Sequence, residues 1–264
     1  VPVSVKPVNG IHLTGLTLTG TTVGAMCYLN GFVEDLEAGE TTYEEAAEVI
    51  AKGLNYVPDG VQQQVEMFRT MDRETFLDGI HIRLLNAERN EEAKAQYPYF
   101  EFLDLIGMFH FKLSTEASVR VTHSLAEMFH TSLDDLKTAG MKNTEKNRKV
   151  MSMTEAMNSI APGSAEEPDG AMPLYVFTNS ESYFGAATML VPDPFEELAE
   201  KLESDLYILP SSKHEVLALP KDGGAGELLN LVKSVNGTAV SSEDFLSNNV
   251  YQYTRGTGVI DVAV

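Results

Sequence analysis

Segments of two-residue alternation and segments of helical spacing follow one another along this chain in irregular order. That order constrains its fold more than any other feature. A regular strand–helix alternation builds a parallel sheet, whereas mixed blocks build antiparallel or mixed sheets with helices packed on them. The start reads as strand. Val3, Val5 and Val8 precede Asn9-Gly10, a pair suited to the positive φ angles of a tight hairpin, and Ile11, Leu13, Leu16 and Leu18 follow. A third strand is expected over 23–29. Thr42 and Glu45 make a capping box ahead of a helix whose apolar face is Tyr43, Ala46, Ala47, Ile50 and Leu54. Pro58-Asp59-Gly60 interrupts, and 61–77 reads as helix in two pieces.

The middle returns to strand. Ile80, Ile82 and Leu84 alternate with His81 and Arg83, 103–113 reads as one long apolar strand, and Val119 and Val121 follow a polar turn. Ser132 with Asp135 caps a helix carrying Leu133 and Leu136. The stretch 161–171, rich in Ala, Pro, Gly and Glu, is the strongest linker. It predicts an N-terminal lobe over 1–160 and a C-terminal lobe over 172–264, with a single compact unit as the alternative. Beyond it come a strand over 174–177 and a helix from Asp193-Pro194 with Phe195, Leu198, Ala199 and Leu202 inward. Two short strands, 206–209 and 216–219, flank Pro210-Ser211-Ser212. A helix through Leu228, Leu231, Val232 and Val235 and a β-like tail complete the chain. The predicted class is α+β, with antiparallel or mixed sheets and packed helices.

Charge limits the partners. Against 39 acidic residues stand 19 basic ones, a formal net charge of −20. A field of that sign repels phosphate backbones and anionic lipid, so neither nucleic acid nor a membrane is expected as partner. Cys27 is the single cysteine and sits among apolar residues, which predicts a buried structural thiol and no disulfide within the chain. With no membrane-length apolar run and no signal-peptide pattern, a soluble cytoplasmic protein is expected. The start at Val1 rather than Met suggests that upstream residues are missing.

Several residue groups suggest chemistry. Ser211, Ser212, His214 and Glu215 supply nucleophile, base and acid types, yet consecutive His214 and Glu215 in an extended segment point to opposite faces. The six histidines form no His-x-x-x-His pair, so no metal is expected. Gly223-Gly224-Ala225-Gly226 lacks the lysine and threonine of a phosphate loop, so no cofactor is expected either. The sheet offers more. If 103–113 pairs with 118–122, then Phe109, Phe111 and Leu113 share one face. His110 and Lys112 then lie opposite them near Arg120, and His81 and Arg83 join on a third strand. Such a cationic strip in an acidic protein suits an anion or an acidic peptide.

The chain resembles a family of clostridial and gut-bacterial proteins known as a domain of unknown function. The resemblance lies in Asn9-Gly10 with Leu16, in Tyr28-Leu29-Asn30 and in Arg83-Leu84-Leu85-Asn86. It continues from Tyr175 through Thr178-Asn179 to Tyr183-Phe184-Gly185-Ala186, in Asp205 to Val216, and in Val250-Tyr251-Gln252-Tyr253. It implies a bacterial, cytoplasmic protein, brings no catalytic residues, and implies a further helical segment ahead of the first strand. Taken together, these features predict a non-enzymatic binding protein whose partner is a protein or a small anionic ligand. The alternative is a hydrolase with a site assembled between lobes around His214, with Ser211 and Glu215.

Overall fold

The computed structural model describes residues 3–17, 26–55, 61–114, 118–163 and 172–264. Its contacts group into two compact units, 1–72 and 73–264. The fold is α+β, and every strand pair among the described residues is antiparallel.

The first unit is a three-stranded sheet, β1 (Val3–Val8), β2 (Ile11–Thr17) and β3 (Met26–Tyr28), in that order. Asn9 (φ 48°) and Gly10 (φ 86°) form the two-residue turn that pairs Val8 with Ile11. Both angles are positive, which is why Asn-Gly suits this turn. Helix α1 (Asn30–Ala38) was not expected. It has no fully buried residue, and only Phe32 and Leu36, one helical turn apart, are half-buried apolar side chains. Asn30 ties its start to β2, accepting from the Thr14 N–H at 2.9 Å and donating to the His12 carbonyl. Helix α2 (Tyr43–Asn55) starts on the predicted Thr42–Glu45 box. Ala46 and Leu54 of its expected apolar face are buried, but Tyr43 in the first turn is 79% exposed. Cys27 is half-buried rather than fully buried. Helix α3 (Val61–Thr70) closes the unit. Leu18, Val23 and Pro58-Asp59-Gly60 lie outside the described residues.

The second unit opens with α4 (Arg73–Asp78), β4 (Ile80–Asn86), α5 (Glu91–Lys94), β5 (Tyr99–Phe102), β6 (Leu105–Lys112) and β7 (Ser118–Arg120). Strand β6 has β4 on one side. On the other it pairs with β5 along 105–108 and with β7 along 110–112. The single strand expected over 103–113 is corrected. Leu103 (φ 56°) and Asp104 form a turn between β5 and β6, with Phe102 opposite Leu105. No glycine or asparagine marks this turn, and Asp104 is held by distant partners, so nothing local signalled it.

Helices α6 (His123–Met128) and α7 (Leu133–Asn147) follow. Phe76 of α4 stacks on Phe129 just past α6, at 4.1 Å between centroids, and on Phe111 of β6 at 5.5 Å. Asn143 of α7 donates to the Asp78 and Ile80 carbonyls at 3.0 and 2.8 Å. One face of the sheet, carrying Ile80, Ile82, Phe109 and Phe111, is thus sealed by helices.

The rest forms a six-stranded sheet. Its elements are β8 (Arg148–Ser152), α8 (Met153–Ile160), β9 (Tyr175–Asn179), α9 (Asp193–Leu202), β10 (Leu206–Pro210), β11 (Val216–Pro220), α10 (Ala225–Thr238), β12 (Tyr251–Thr254) and β13 (Val259–Val262). The strand order is β13-β12-β10-β11-β9-β8. Of the expected linker 161–171, residues 164–171 lie outside the described residues. The strands flanking it, β8 and β9, pair from Arg148–Asn179 to Ser152–Tyr175, and both belong to the second unit. Asp104 ties this sheet to the four-stranded one, accepting from the Tyr251 hydroxyl at 2.7 Å and from Ser247 Oγ at 2.6 Å. Among the described residues no helix is long and apolar enough to cross a membrane.

Candidate functional site

Successive residues of a strand point to opposite faces. With Ile80, Ile82, Phe109 and Phe111 under the helices, His81, Arg83, His110 and Lys112 fall on the other face of β4 and β6. The register places His81 opposite His110, His110 opposite Arg120 on β7, and Lys112 opposite Ser118. The five basic residues of the strip therefore occupy neighbouring positions on one face. Towards the other end that face turns apolar, with Leu85, Ile106 and Met108 packed against Tyr97, Tyr99 and Phe184.

The segment 179–184, leading out of β9, reaches over the basic end and encloses a cavity of about 290 Å³. Its walls include His81, Arg83, His110 and Lys112 from the sheet, faced by Glu181, Tyr183 and Phe184. Arg120 does not line it. Its guanidinium lies 4.7 Å from the Tyr97 ring centroid.

Charge in this cavity is positive. Arg83 donates from Nη2 to Ser118 Oγ at 2.6 Å and lies 3.8 Å from the Phe184 ring centroid. Burial pulls its pKa down to about 10; Tyr183 opposes that shift and Arg120 adds to it. The group stays cationic at neutral pH. Lys112 is paired with Glu181. Among the described residues no carboxylate pairs with Arg83 or Arg120. His110 is 4% exposed, and its buried Nδ1 has no hydrogen-bond partner among the described residues. Burial, then the nearby Arg83 and Arg120 charges, hold its pKa well below the ordinary histidine value. Only the Met108 carbonyl favours the charged ring, and it lies outside hydrogen-bond geometry to Nδ1. Burial also lowers the pKa of His81, helped by Lys112 and Arg83.

The covering segment is fixed from behind. Asn179 Oδ1 accepts from the Glu181 and Tyr183 N–H groups, and its Nδ2 donates to the Tyr183 carbonyl. Phe184 (φ 54°) donates its N–H to His214 Nδ1 at 3.1 Å. Since Nδ1 accepts, the His214 proton sits on Nε2 and is donated to Asp244 Oδ1, also at 3.1 Å. Burial alone would raise the Asp244 pKa, but bonds from Lys213, Ser241 and His214 hold it below the usual carboxylate value. Both imidazole nitrogens are therefore engaged.

Ser211 and Ser212 donate instead to Glu215 Oε1, at 3.0 and 2.9 Å. Here the structure brings Ser211, Ser212 and Glu215 together and leaves His214 bonded elsewhere. A shallow groove of about 620 Å³ runs past Ser182, Tyr183, Ser211, Ser212, His214 and Asp244. Among the described residues no three His, Cys, Asp or Glu side chains converge as metal ligands.

Alternation in the sequence pointed to the sheet residues of the cavity. It carried no signal for Glu181, Tyr183, Phe184 or Asp244. Tyr183 and Phe184 stood out only as part of the stretch resembling the family. One family model, described as a family of unknown function (DUF5688), matches residues 3–255. No curated protein and no solved structure matches the chain.

Proposed function

We propose that this chain, which belongs to the family of unknown function DUF5688, is a non-enzymatic protein that binds a small anionic ligand. The site is the cavity over the basic face of β4, β6 and β7. One observation carries the reading. Arg83 and Arg120 have no carboxylate partner among the described residues, although the chain has a net charge of −20 and carboxylates are abundant. Leaving the Arg83 guanidinium, which lines a concave, partly buried space, without a carboxylate among the described residues costs stability unless an anion completes it, and Arg120 adds its positive field from nearby. The volume, about 290 Å³, lies at the small end of ligand sites and favours a small molecule over a protein surface. The bacterial cytoplasm is the compartment we assign. The lone Cys27 and the family resemblance support it, and the acidic charge argues against nucleic acid and membrane surfaces as partners.

The test is equilibrium binding of small oxyanions, inorganic sulfate first, to the full chain. Reversing charge with Lys112→Glu and Arg120→Glu is expected to weaken binding by about a hundredfold or more. Binding that ignores both changes would remove the proposal. The hydrolase alternative rests on the His214–Asp244 bond beside Ser211 and Ser212. A fluorophosphonate probe separates the two readings. Serine labelling that disappears in His214→Ala would replace the binder with an enzyme.

A further inference from the structure

We propose that the cavity takes up its anion together with a proton, and that His110 is the group that receives it. The inference rests on the anion-binding reading and adds its chemistry. The ligand is an oxyanion whose uptake is favoured by acid.

The geometry begins with a buried polar group that no described residue satisfies. His110 lines the cavity while its buried Nδ1 has no hydrogen-bond partner among the described residues. We take Nε2 as the edge at which a ligand meets the ring. Such an orphaned group calls for a physical account, since leaving it unmade costs free energy. The groups around it explain its present state. Strand β4 contributes His81 and Arg83, β7 contributes Arg120, and β6 itself contributes Lys112. The covering segment brings Glu181, Tyr183 and Phe184. Glu181 is the one carboxylate among these, and it is paired with Lys112. A charged imidazole would thus be buried beside guanidinium groups that no described carboxylate neutralises, and the ring stays neutral.

An oxyanion beside Arg83 reverses that balance. Its charge offsets the guanidinium field, and the neutral ring gains a proton from solvent. The resulting imidazolium carries an N–H at each nitrogen. Nε2–H donates to the anion oxygen, and the Met108 carbonyl, which already favours the charged ring, stabilises the imidazolium. No bond of the ligand breaks, and the only transfer is the proton from water to His110. The aromatic cover suits this arrangement. The His110 and Phe184 rings face each other at 6.5 Å between centroids, and the Arg83 guanidinium lies 3.8 Å from the centroid of the same Phe184 ring.

The experiment uses inorganic sulfate, whose charge does not change between about pH 5 and about pH 8, so any proton uptake belongs to the protein. Calorimetric titration across that range, in buffers of differing ionisation enthalpy, measures affinity and proton count together. The expected result is affinity that rises by up to about tenfold per unit of falling pH, with about one proton taken up per sulfate. His110→Asn is expected to bind sulfate still, through Arg83 and Lys112, with the pH dependence gone. Wild-type affinity that is flat across the range would overturn the inference. So would pH dependence that survives in His110→Asn, since the proton then goes elsewhere. Should that variant fail to fold, the imidazole resonance of His110 in the wild-type chain decides. A titration midpoint raised by sulfate supports the proposal, and one that stays put overturns it. Failure of the underlying reading looks different. Sulfate would then not bind at any pH, or would bind equally well to Arg83→Met.

Discussion

A histidine kept neutral inside a protein makes stability depend on pH. The folded-state pKa of His110 lies below its ordinary value because of burial and the neighbouring Arg83 and Arg120 charges. As pH falls through the ordinary histidine range, the unfolded chain therefore gains a proton that the native chain does not. Stability is full above that range and declines below it, by up to about 1.4 kcal/mol per pH unit. His81, lowered by burial, Lys112 and Arg83, acts in the same sense. His110→Gln is expected to flatten the decline, as read by urea unfolding at about pH 7 and about pH 5. A slope equal to that of the wild type would refute this. At this scale the sequence was informative about position and silent about state. The alternation 80–84 places His81 and Arg83 on one face, because strand periodicity is a property of the local backbone. Whether an imidazole is partnered depends on what covers it, and that comes from 179–184.

Single elements show the same division. The boxes at Thr42–Glu45 and Ser132–Asp135 form as their spacing requires, since donor and acceptor lie within one helical turn. Ser132 N–H and hydroxyl, with Arg73, hold Asp135 at a pKa of about 2. This depressed value adds stability above the ordinary aspartate range that is lost as pH falls towards 2. Ser132→Ala is expected to cost about 1 kcal/mol, measured by chemical denaturation near neutral pH. No cost would mean that the box contributes nothing. The buried 3-10 segment Gly185–Leu190, by contrast, had no sequence signature. Gly185 is required there by close approach. A Cβ would come within 2.6 Å of the His214 carbonyl oxygen and 2.7 Å of the Asn179 nitrogen. Both neighbours are backbone and cannot rotate away. Gly185→Ala is expected to lose about 2 kcal/mol, roughly 4–8 °C in Tm. Because residue 184 is the aromatic cover, sulfate binding should weaken as well. A variant that melts like the wild type would show that the segment yields.

For the second unit as a whole, the decisive contacts join residues far apart in the chain. Asp104 in the β5–β6 turn accepts from Tyr251, 147 positions away, and from Ser247. Burial, then the Asp104 charge, push the Tyr251 pKa upward, so its hydroxyl stays protonated and donating. Asp104→Ala removes the acceptor shared by both hydroxyls and is expected to cost about 2–3 kcal/mol. Tyr251→Phe alone should cost less. Combined with Asp104→Ala it should add less than its single-variant cost, which denaturant unfolding of the four proteins measures. Full additivity would mean that the two groups act independently. The sequence by itself determined the α+β class, the Asn9-Gly10 hairpin, the helix starts at Thr42 and Ser132, and the alternation that gathers the basic residues onto one strand face. Each follows from propensities and periods spanning a few neighbouring residues. Only the tertiary structure decided that Leu103–Asp104 would turn rather than extend, that 179–184 would cover the basic face, and that His214 would bond the Phe184 N–H and Asp244. Those outcomes depend on hydrogen-bond partners supplied from remote positions, and no local pattern encodes which remote group arrives.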